Sequence, residues 1–374
     1  MKIQVIKTIR EFELLRDSWN RLLHESDRSV VYLTYEWFLS WWKSFGQDNQ
    51  LHMVTVVDDS GDMTAIAPLM LSNSMYRNIP VRKLSFLANE HSPSVDFIIK
   101  RHCEAEAIEI IILYLETYLE WSMVELQKLD SSSDTFVFLT NYLNRSDRLS
   151  GLKDNIESPF IVIDSDWDKF LNKRSLKFRK VLRNKINRVN KSGDLSIERV
   201  LITGGSHSAI EKMFQVSGRS WKKKIGTDLL YNQKSQMFYK NIADHLGPQG
   251  IVSLWFLKKG DNPIAFEFHL NYNKTVYPIR ADYDESFKEL SPGSFLEYKI
   301  LETVFKDGDI TEYNSCGHTY GYLLNWTQDT RKHIDIELFS KTLRPYTLYA
   351  LEYKLIPFLR RLRLNQVRHL WKHF

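Results

Sequence analysis

The chain has 374 residues, of which 43% are hydrophobic and 26% charged, the balance of a folded protein with a sizeable core. The length suggests two domains, and the composition excludes a disordered, collagen-like or coiled-coil chain. No apolar run reaches the roughly 18 residues of a membrane span, and residues 1–7 lack the apolar stretch of a signal peptide, so a cytoplasmic protein is expected. Two cysteines, Cys103 and Cys316, are too few for a disulfide framework or a four-ligand zinc site, and no metal is expected.

The net charge of +5 is concentrated in two parts of the chain. Residues 346–374 hold six Lys and Arg against one acid, Glu352, and residues 169–191 hold ten Lys and Arg with no acid. A nucleic-acid-binding protein would spread its positive charge along one face, so nucleic acid is disfavoured as a partner.

The first half of the chain alternates short strands with amphipathic helices. Residues 2–8 alternate in polarity as a strand does, whereas 10–24 and 34–45 carry apolar residues at helical spacing. The remaining predicted elements are a hairpin over 51–71, strands near 82–88 and 94–99, a helix at 103–119, a strand at 122–128 and a helix at 131–144.

The second half shows a similar order of elements, which predicts a mixed α/β fold of two related domains. It opens with the long basic helix, about 168–191, which ends at Ser192-Gly193. The elements that follow are a strand at 195–202, helices near 206–220 and 232–246, a hairpin over 251–270, a strand at 275–283, a helix at 293–306, and strands at 310–314 and 333–339. The predicted domains are 1–150 and 151–342, followed by a basic amphipathic tail over 343–374.

Four polar residues of the second hairpin region have the chemistry of a catalytic surface. The two-residue period of a strand places Glu267 and His269 on one face, and Arg280 and Asp282 share a face of the next strand. The short turn between the strands sets them side by side, so we expect the four side chains to gather, although a slip of one residue would reverse the assignment. Glu267 or His269 has the residue type of a general base. The alternative is a solvated sheet face that carries ordinary charges.

A second candidate site begins the helix at 293–306, with the sequence Ser291-Pro-Gly-Ser. A helix N-terminus exposes unpaired N–H groups and the positive end of the helix dipole, which together bind phosphate. Pro292 suits a first-turn position, and Gly293 would allow close approach of a diphosphate. The alternative is an ordinary helix cap that binds nothing.

The order of elements over 195–339 resembles the GNAT acyltransferases, and scattered motifs resemble the CelD-like acetyltransferases of bacterial cellulose and polysaccharide biosynthesis. The motifs are Ser220-Trp-Lys-Lys-Lys-Ile-Gly, Ala281-Asp-Tyr-Asp-Glu, Ser291-Pro-Gly-Ser-Phe-Leu, Tyr313-Asn-Ser-Cys-Gly and Asn325-Trp-Thr, with Tyr35-Glu-Trp-Phe-Leu-Ser-Trp-Trp and Ala67-Pro-Leu in the first half. The resemblance implies two GNAT-like domains in tandem, of which the second binds acetyl-CoA or another acyl-CoA as co-substrate. This sequence departs from the GNAT pattern in two places. Asn314-Ser-Cys-Gly lacks the acid of the corresponding GNAT motif, and Ser291-Pro-Gly-Ser replaces the usual Arg- or Gln-rich phosphate loop.

The implied activity is transfer of an acyl group to an amine of an amino-sugar or cell-surface polysaccharide precursor. On this analogy strand 276–282 offers backbone groups to the pantetheine arm, and Tyr320 or Tyr322 protonates the leaving CoA. The candidate catalytic residues are Glu267, which we prefer as the base, with His269, Asp282 and Tyr320. The candidate cofactor-binding residues are Arg280, Ser291, Pro292, Gly293 and Ser294.

Several alternatives stay open at this point. A thiol mechanism would pair Cys316 with His318. A Fem-type peptidyltransferase that uses aminoacyl-tRNA, or a non-catalytic GNAT-like binding protein, would share the tandem plan, although the coiled-coil insertion usual in Fem proteins is missing here. The basic helix 168–191 is either plainly amphipathic or a site for anions such as the CoA phosphates. The tail 346–374 either lies on an anionic membrane or packs on the domains, with a kink expected at Pro357.

Overall fold

The computed structural model describes residues 1–145, 147–203, 207–317 and 319–362. Short strands and helices alternate along the chain, as the sequence predicts. The strands are β1 (Lys2–Ile6), β2 (Gln50–Leu51), β3 (Met53–Val57), β4 (Met63–Ala67), β5 (Leu69–Tyr76), β6 (Ile79–Phe86), β7 (Ile98–Ile99), β8 (Met123–Asp130), β9 (Leu149–Val162), β10 (Leu195–Leu201), β11 (Val252–Lys259), β12 (Asn262–Tyr272), β13 (Thr275–Tyr283), β14 (Glu312–Asn314) and β15 (Thr330–Phe339). The α-helices are α1 (Ile9–Glu13), α2 (Arg16–Glu25), α3 (Tyr35–Phe45), α4 (Glu104–Tyr118), α5 (Asp134–Asn144), α6 (Trp167–Asn172), α7 (Leu176–Lys191), α8 (His207–Ser217), α9 (Gln233–Leu246), α10 (Pro292–Lys306) and α11 (Leu343–Ala350).

One large mixed sheet runs through both halves of the chain, in the order β10-β11-β12-β13-β14-β9-β15-β8-β6-β5-β2. The halves join at β9 and β15. Strand β15, from the end of the second half, lies between β9 and β8 and pairs antiparallel with both. A smaller sheet in the first half has the order β1-β3-β4-β7.

The two halves repeat one motif, in which a helix connects two parallel strands. In the first half α4 connects β6 to β8, and in the second α10 connects β13 to β14. Parallel neighbours need such a crossover, because their ends lie at opposite edges of the sheet. The mixed α/β class predicted from the order of elements is therefore confirmed.

Apolar side chains cover both faces of the sheet in the second half. On one face α8 and α9 pack against a core that continues into the first half, where Trp37 of α3 meets Phe238 of α9 with ring centroids 5.2 Å apart. On the other face α6, α7 and α10 enclose a second core around Trp167 and Leu296. Because the sheet and the first core cross residue 150, the division into 1–150 and 151–342 stays a prediction.

Three local features differ from the sequence prediction. The basic helix is two helices, α6 and α7, because Ser175 caps a new helix by accepting a hydrogen bond from the backbone N–H of Phe178. The long strand β9 was not predicted. The helix after residue 342 does not break at Pro357 but widens into a π-helical turn over Leu351–Leu355, which accommodates the missing N–H of the proline.

The start of the tail is part of the fold. The hydroxyl of Tyr353 donates to Glu337 Oε2 of β15 at 2.8 Å, and Arg77 Nε donates to Glu352 Oε2 at 2.6 Å. Residues 363–374 lie outside the described residues, so the tail prediction for 346–374 falls partly outside them. None of the helices in the described ranges is long and apolar enough to cross a bilayer.

Candidate functional site

Strands β13 and β14 pair over two residues only and then diverge. Thr275 lies opposite Glu312 and Val276 opposite Tyr313, after which β13 continues to Tyr283 without β14 beside it. A bulge marks this point, since Phe268 of β12 pairs with Arg280 but the next residue, His269, pairs with Pro278. The divergence opens a gap between two parallel strands, and backbone groups of β13 face it.

The N-terminus of α10 lies at the end of β13. Ser291 has a left-handed backbone (φ 53°), which turns the chain into Pro292 at the first helical position, as expected from the sequence. The backbone N–H of Phe295 bonds the carbonyl of Ser291 at 3.2 Å. A Cβ placed on Gly293 would lie 3.5 Å from Tyr283 Cδ1, an ordinary contact. The fold itself therefore tolerates a side chain at Gly293, and any need for glycine comes from a ligand.

The basic helix α7 supplies cations to this corner. The Lys185 ammonium donates to Ser294 Oγ at 2.9 Å, and the Arg188 guanidinium donates to the carbonyl of Glu289 in the preceding loop. Two positive charges therefore lie beside the positive end of the α10 dipole. This arrangement attracts an anion such as a diphosphate.

Glu267 and His269 form a buried pair on the face of the sheet that α10 covers. His269 Nε2 lies 2.9 Å from Glu267 Oε2, and the Tyr313 hydroxyl donates to the same oxygen at 3.4 Å. Glu267 is 5% exposed and His269 1%. Burial raises the pKa of Glu267 and of its neighbour Glu297 on α10, and it lowers the pKa of His269 to about 3. At neutral pH the imidazole is neutral and a proton is retained on the buried carboxyl groups.

Arg280 and Asp282 lie on the opposite face, so the expectation that they gather with Glu267 and His269 is wrong. The pairing of β12 with β13 sets Arg280 beside Phe268 and Asp282 beside Phe266, on the face that α8 covers. The shift of one residue comes from the bulge, whose position the strand periodicity does not show.

Asp282 and Arg280 instead hold the loop that follows α8. The Ser217 hydroxyl donates to Asp282 Oδ2 at 2.6 Å, and the Lys222 ammonium pairs with the same carboxylate. Arg280 donates to Asp282 at 3.0 Å and to the carbonyl of Thr227 at 2.8 Å. The ammonium of Lys222 also donates to the carbonyl of Ala281 at 2.9 Å, on the edge of β13. These contacts fix the shape of the loop beside the divergent strands.

The tyrosines and the cysteine after β14 occupy different surroundings. Tyr320 and Tyr322 are exposed, with near-parallel rings whose centroids lie 5.9 Å apart. Although the Tyr322 side chain is exposed overall, its hydroxyl end is enclosed, and this burial, followed by the charges of Glu297 and Glu267, raises the pKa of the hydroxyl. Burial also raises the pKa of the Cys316 thiol, which therefore stays protonated, although its contact with the Tyr32 hydroxyl acts in the opposite direction. His318, the partner in the thiol hypothesis, lies outside the described residues.

A group of polar residues that the sequence analysis did not select lines a cavity of about 260 Å³ where the two halves meet. It includes Arg28, Ser158, Glu312, Arg331 and His333. The sequence carries one signal of this group, because His333, Asp335 and Glu337 alternate with apolar residues along β15. In the structure all three of these polar residues are buried. A strand whose polar residues alternate with apolar ones normally turns the polar set to solvent. Here that set lies inside the protein.

A separate group of carboxylates comprises Asp27, Glu104 and Asp134, whose oxygens lie within 4.8 Å of one another. Two of the three residues are exposed. Exposed acidic groups of this kind are common at protein surfaces, and we assign no ligand to this one.

Residues 176–322, which contain the divergent strands, α10 and α7, match the family model described as an acetyltransferase (GNAT) domain. This part of the chain forms a GNAT domain. A search of curated proteins gives no significant match. The narrower resemblance to the CelD-like family is not confirmed by the comparisons and remains a prediction.

Solved structures share the fold over nearly the whole chain. A conserved protein of unknown function from Bacteroides thetaiotaomicron is 12% identical, with a TM-score of 0.56 over 91% of this chain and 100% of that one. FemX is 13% identical, with a TM-score of 0.57 over 94% of this chain and 100% of FemX. L-PGS from Bacillus licheniformis is 10% identical, with a TM-score of 0.54 over 90% of this chain and 95% of the other. At identities this low, the structural similarity shows the fold of the two halves and does not extend to substrate or mechanism.

Proposed function

We propose that the protein transfers an acyl group from an acyl-CoA to an amine, and that the second half holds the donor. The observation that carries this proposal is the corner at α10, where a helix N-terminus, Lys185 and Arg188 meet beside the gap between β13 and β14. The diphosphate of CoA would bind the N–H groups of Gly293 and Ser294. The pantetheine arm, an amide chain, would run along β13 and bond its backbone beyond Val276.

The chemistry is a direct transfer that needs no covalent enzyme intermediate. The free amine attacks the thioester carbonyl carbon, a C–N bond forms as the C–S bond breaks, and one amine proton passes to a base. The CoA sulfur leaves as a thiolate and takes up a proton. We retain Glu267 as the proposed base, which acts only in its ionised form, so turnover should rise as the pH passes its raised pKa. His269 is its hydrogen-bond partner, and Tyr320 or Tyr322 is the proposed acid.

Calorimetric titration with CoA tests whether an acyl-CoA is the acyl donor. We expect saturable binding, followed by release of free thiol when acetyl-CoA and an acceptor amine are both supplied. If CoA fails to bind at millimolar concentration, the acyl-CoA proposal is wrong. The narrower acceptor proposed from the CelD-like resemblance, an amino-sugar or cell-surface polysaccharide precursor, is tested by supplying such amines in the same thiol-release assay.

A second donor, aminoacyl-tRNA, is favoured by one observation. Lys177, Arg183 and Lys191 of α7 are exposed, so this helix presents positive charge to solvent beside the proposed donor corner. A polyanion such as tRNA would bind such a surface in a strongly salt-dependent way. RNA binding that weakens with salt, in a protein that does not bind CoA, would favour this alternative.

We also propose peripheral contact with an anionic membrane through the helix that follows α11. Leu355, Phe358, Leu359 and Leu362 are exposed at helical spacing, with Arg360 and Arg361 among them. An exposed apolar stripe flanked by arginines is the pattern of a helix that lies in the interface of an anionic bilayer.

A further inference from the structure

The cavity between the two halves has walls from several elements that are distant in sequence. Ser158 comes from β9, Glu312 from β14 and His333 from β15, whereas Arg28 and Tyr32 come from the loop and turn after α2. At about 260 Å³ the cavity is slightly smaller than the roughly 300–1,000 Å³ of sites for drug-sized ligands. It therefore suits a compact molecule.

Ion pairs neutralise the charged groups of the wall. Arg331 binds Glu312 through two hydrogen bonds, of 2.7 and 2.6 Å. Arg28 donates to Asp130 at 3.1 Å and to Asp96 at 3.2 Å. A ligand with a carboxylate or phosphate would have to compete with these carboxylates for the same guanidinium groups, so the wall favours an uncharged or weakly charged polar molecule.

Two polar atoms of the wall are buried without a partner among the described residues: His333 Nδ1 and Ser158 Oγ. His333 is 3% exposed and Ser158 2%. Leaving such an atom unpaired costs about 1–3 kcal/mol, so each calls for an explanation.

The protonation state of His333 shows which ligand group would pair with it. Burial lowers the pKa of this imidazole to about 4, so the ring is neutral. A neutral imidazole has one nitrogen that donates and one that accepts, and a hydroxyl can pair with either. The partner that fits Nδ1 is therefore a ligand hydroxyl.

The cavity also adjoins the proposed donor site. Thr275 and Glu312, the first residue pair between β13 and β14, both line it, and the strands diverge one pair further on. Tyr32 and Tyr277 line it as well, with ring centroids 5.2 Å apart, and aromatic faces of this kind pack against C–H groups.

We propose that this cavity binds the acyl acceptor, and that the acceptor is a hydroxyl-rich amine of monosaccharide size without a carboxylate or phosphate in the cavity. Hydroxyl groups of this acceptor bond His333 Nδ1 and Ser158 Oγ, and the acceptor amine faces the gap between β13 and β14. This inference rests on the proposed function and adds the cavity that holds the acceptor and the residues that bind it there.

The test is a titration of the full chain, labelled with ¹⁵N-histidine, with glucosamine as the probe. We expect the Nδ1 resonance of His333, assigned by its loss in His333→Gln, to move and saturate at millimolar glucosamine. His52, which is buried in the first half and contacts the hydroxyl of Tyr114, is the internal reference and should not move. Absence of any shift at His333 would overturn the inference, as would equal or tighter binding of the zwitterion L-lysine.

Two serine variants separate binding from folding. Ser158→Ala removes a buried hydroxyl that has no partner among the described residues, so it should leave the thermal midpoint unchanged or raise it, and it should weaken glucosamine binding about five- to tenfold. Ser253→Ala is the matched control, since Ser253 Oγ is likewise buried with no partner in the described part of the chain but lies on β11, outside the cavity. Equal glucosamine affinity in the two variants would overturn the inference.

CoA titration of the same samples distinguishes the two proposals. If CoA binds and glucosamine does not, the cavity inference fails while the donor proposal stands. If glucosamine binds through His333 and CoA does not, the cavity site stands and the donor proposal fails.

Discussion

Replacement of Lys185 by alanine tests how the donor corner binds a phosphate. Among the described residues the ammonium bonds only Ser294 Oγ, at 2.9 Å, so it can turn to a phosphate bound at the start of α10. A charge-assisted hydrogen bond contributes about 1.5–3 kcal/mol. Because the Lys185 side chain is half-buried and partly screened by solvent, we take the lower end, about 1.5 kcal/mol, which corresponds to a roughly tenfold rise in the Kd for CoA.

Calorimetry with CoA measures this change, and Lys180→Ala is the matched control because Lys180 is exposed on the same helix. The control should bind CoA within about twofold of the unmodified protein, since an exposed charge contributes little. The thermal midpoint of both variants should lie within a few degrees of that of the unmodified protein, because each variant loses at most one hydrogen bond. Added salt should reduce the difference in CoA affinity between Lys185→Ala and Lys180→Ala, because it screens the charge of Lys185. Equal CoA affinity in Lys185→Ala and Lys180→Ala would refute the assignment of this corner to the CoA phosphates.

Three further predictions concern the buried acid, the helix start and the tail. Glu267→Gln should bind CoA normally and slow turnover. In the wild type the folded protein keeps the Glu267 proton above pH 4.5, the ordinary pKa, whereas the unfolded chain releases it, so the thermal midpoint should fall as the pH rises through that range. The Glu267→Gln variant lacks this titrating group, so its thermal midpoint should depend less on pH. Gly293→Ala should leave the protein as stable or up to about 1 kcal/mol more stable, because alanine is the better helix former, whereas Gly293→Trp should abolish CoA binding by calorimetry. Phe358→Glu, at a side chain that is 57% exposed, should reduce sedimentation with phosphatidylglycerol vesicles several-fold.

Each of these predictions has an outcome that contradicts it. Full turnover in Glu267→Gln would remove that residue as the base. Normal CoA binding in Gly293→Trp would place the diphosphate elsewhere. Unchanged vesicle sedimentation of Phe358→Glu would leave the tail helix as a packing element; Ser340→Ala, far from the exposed stripe in sequence, serves as its control.

The elements around the donor corner were predictable because their signals are local. The strand Thr275–Tyr283 and the start of α10 at Pro292 follow from apolar alternation, from the turn before the strand and from the Ser-Pro-Gly-Ser sequence. The turn itself has two left-handed residues, Asn273 and Lys274, with φ of 46° and 60°, as a two-residue hairpin requires.

Features that depend on partners distant in sequence could not be predicted. The long strand β9 is largely polar and exposed in its first half, and it forms because β15 and β14 supply backbone partners. The bulge beside Phe268 separates Arg280 from Glu267, and a period of two cannot locate a bulge. Ser158 and His333 line the same cavity because β15, from late in the chain, inserts next to β9, which is a property of strand order.

A crystal structure of the protein with CoA bound tests the central claim most directly. The account predicts the diphosphate on the backbone N–H groups at the start of α10, beside Lys185, with the pantetheine arm extended along β13 and the thiol next to the cavity that His333 lines. CoA bound at any other place, with the corner at α10 empty, would contradict it.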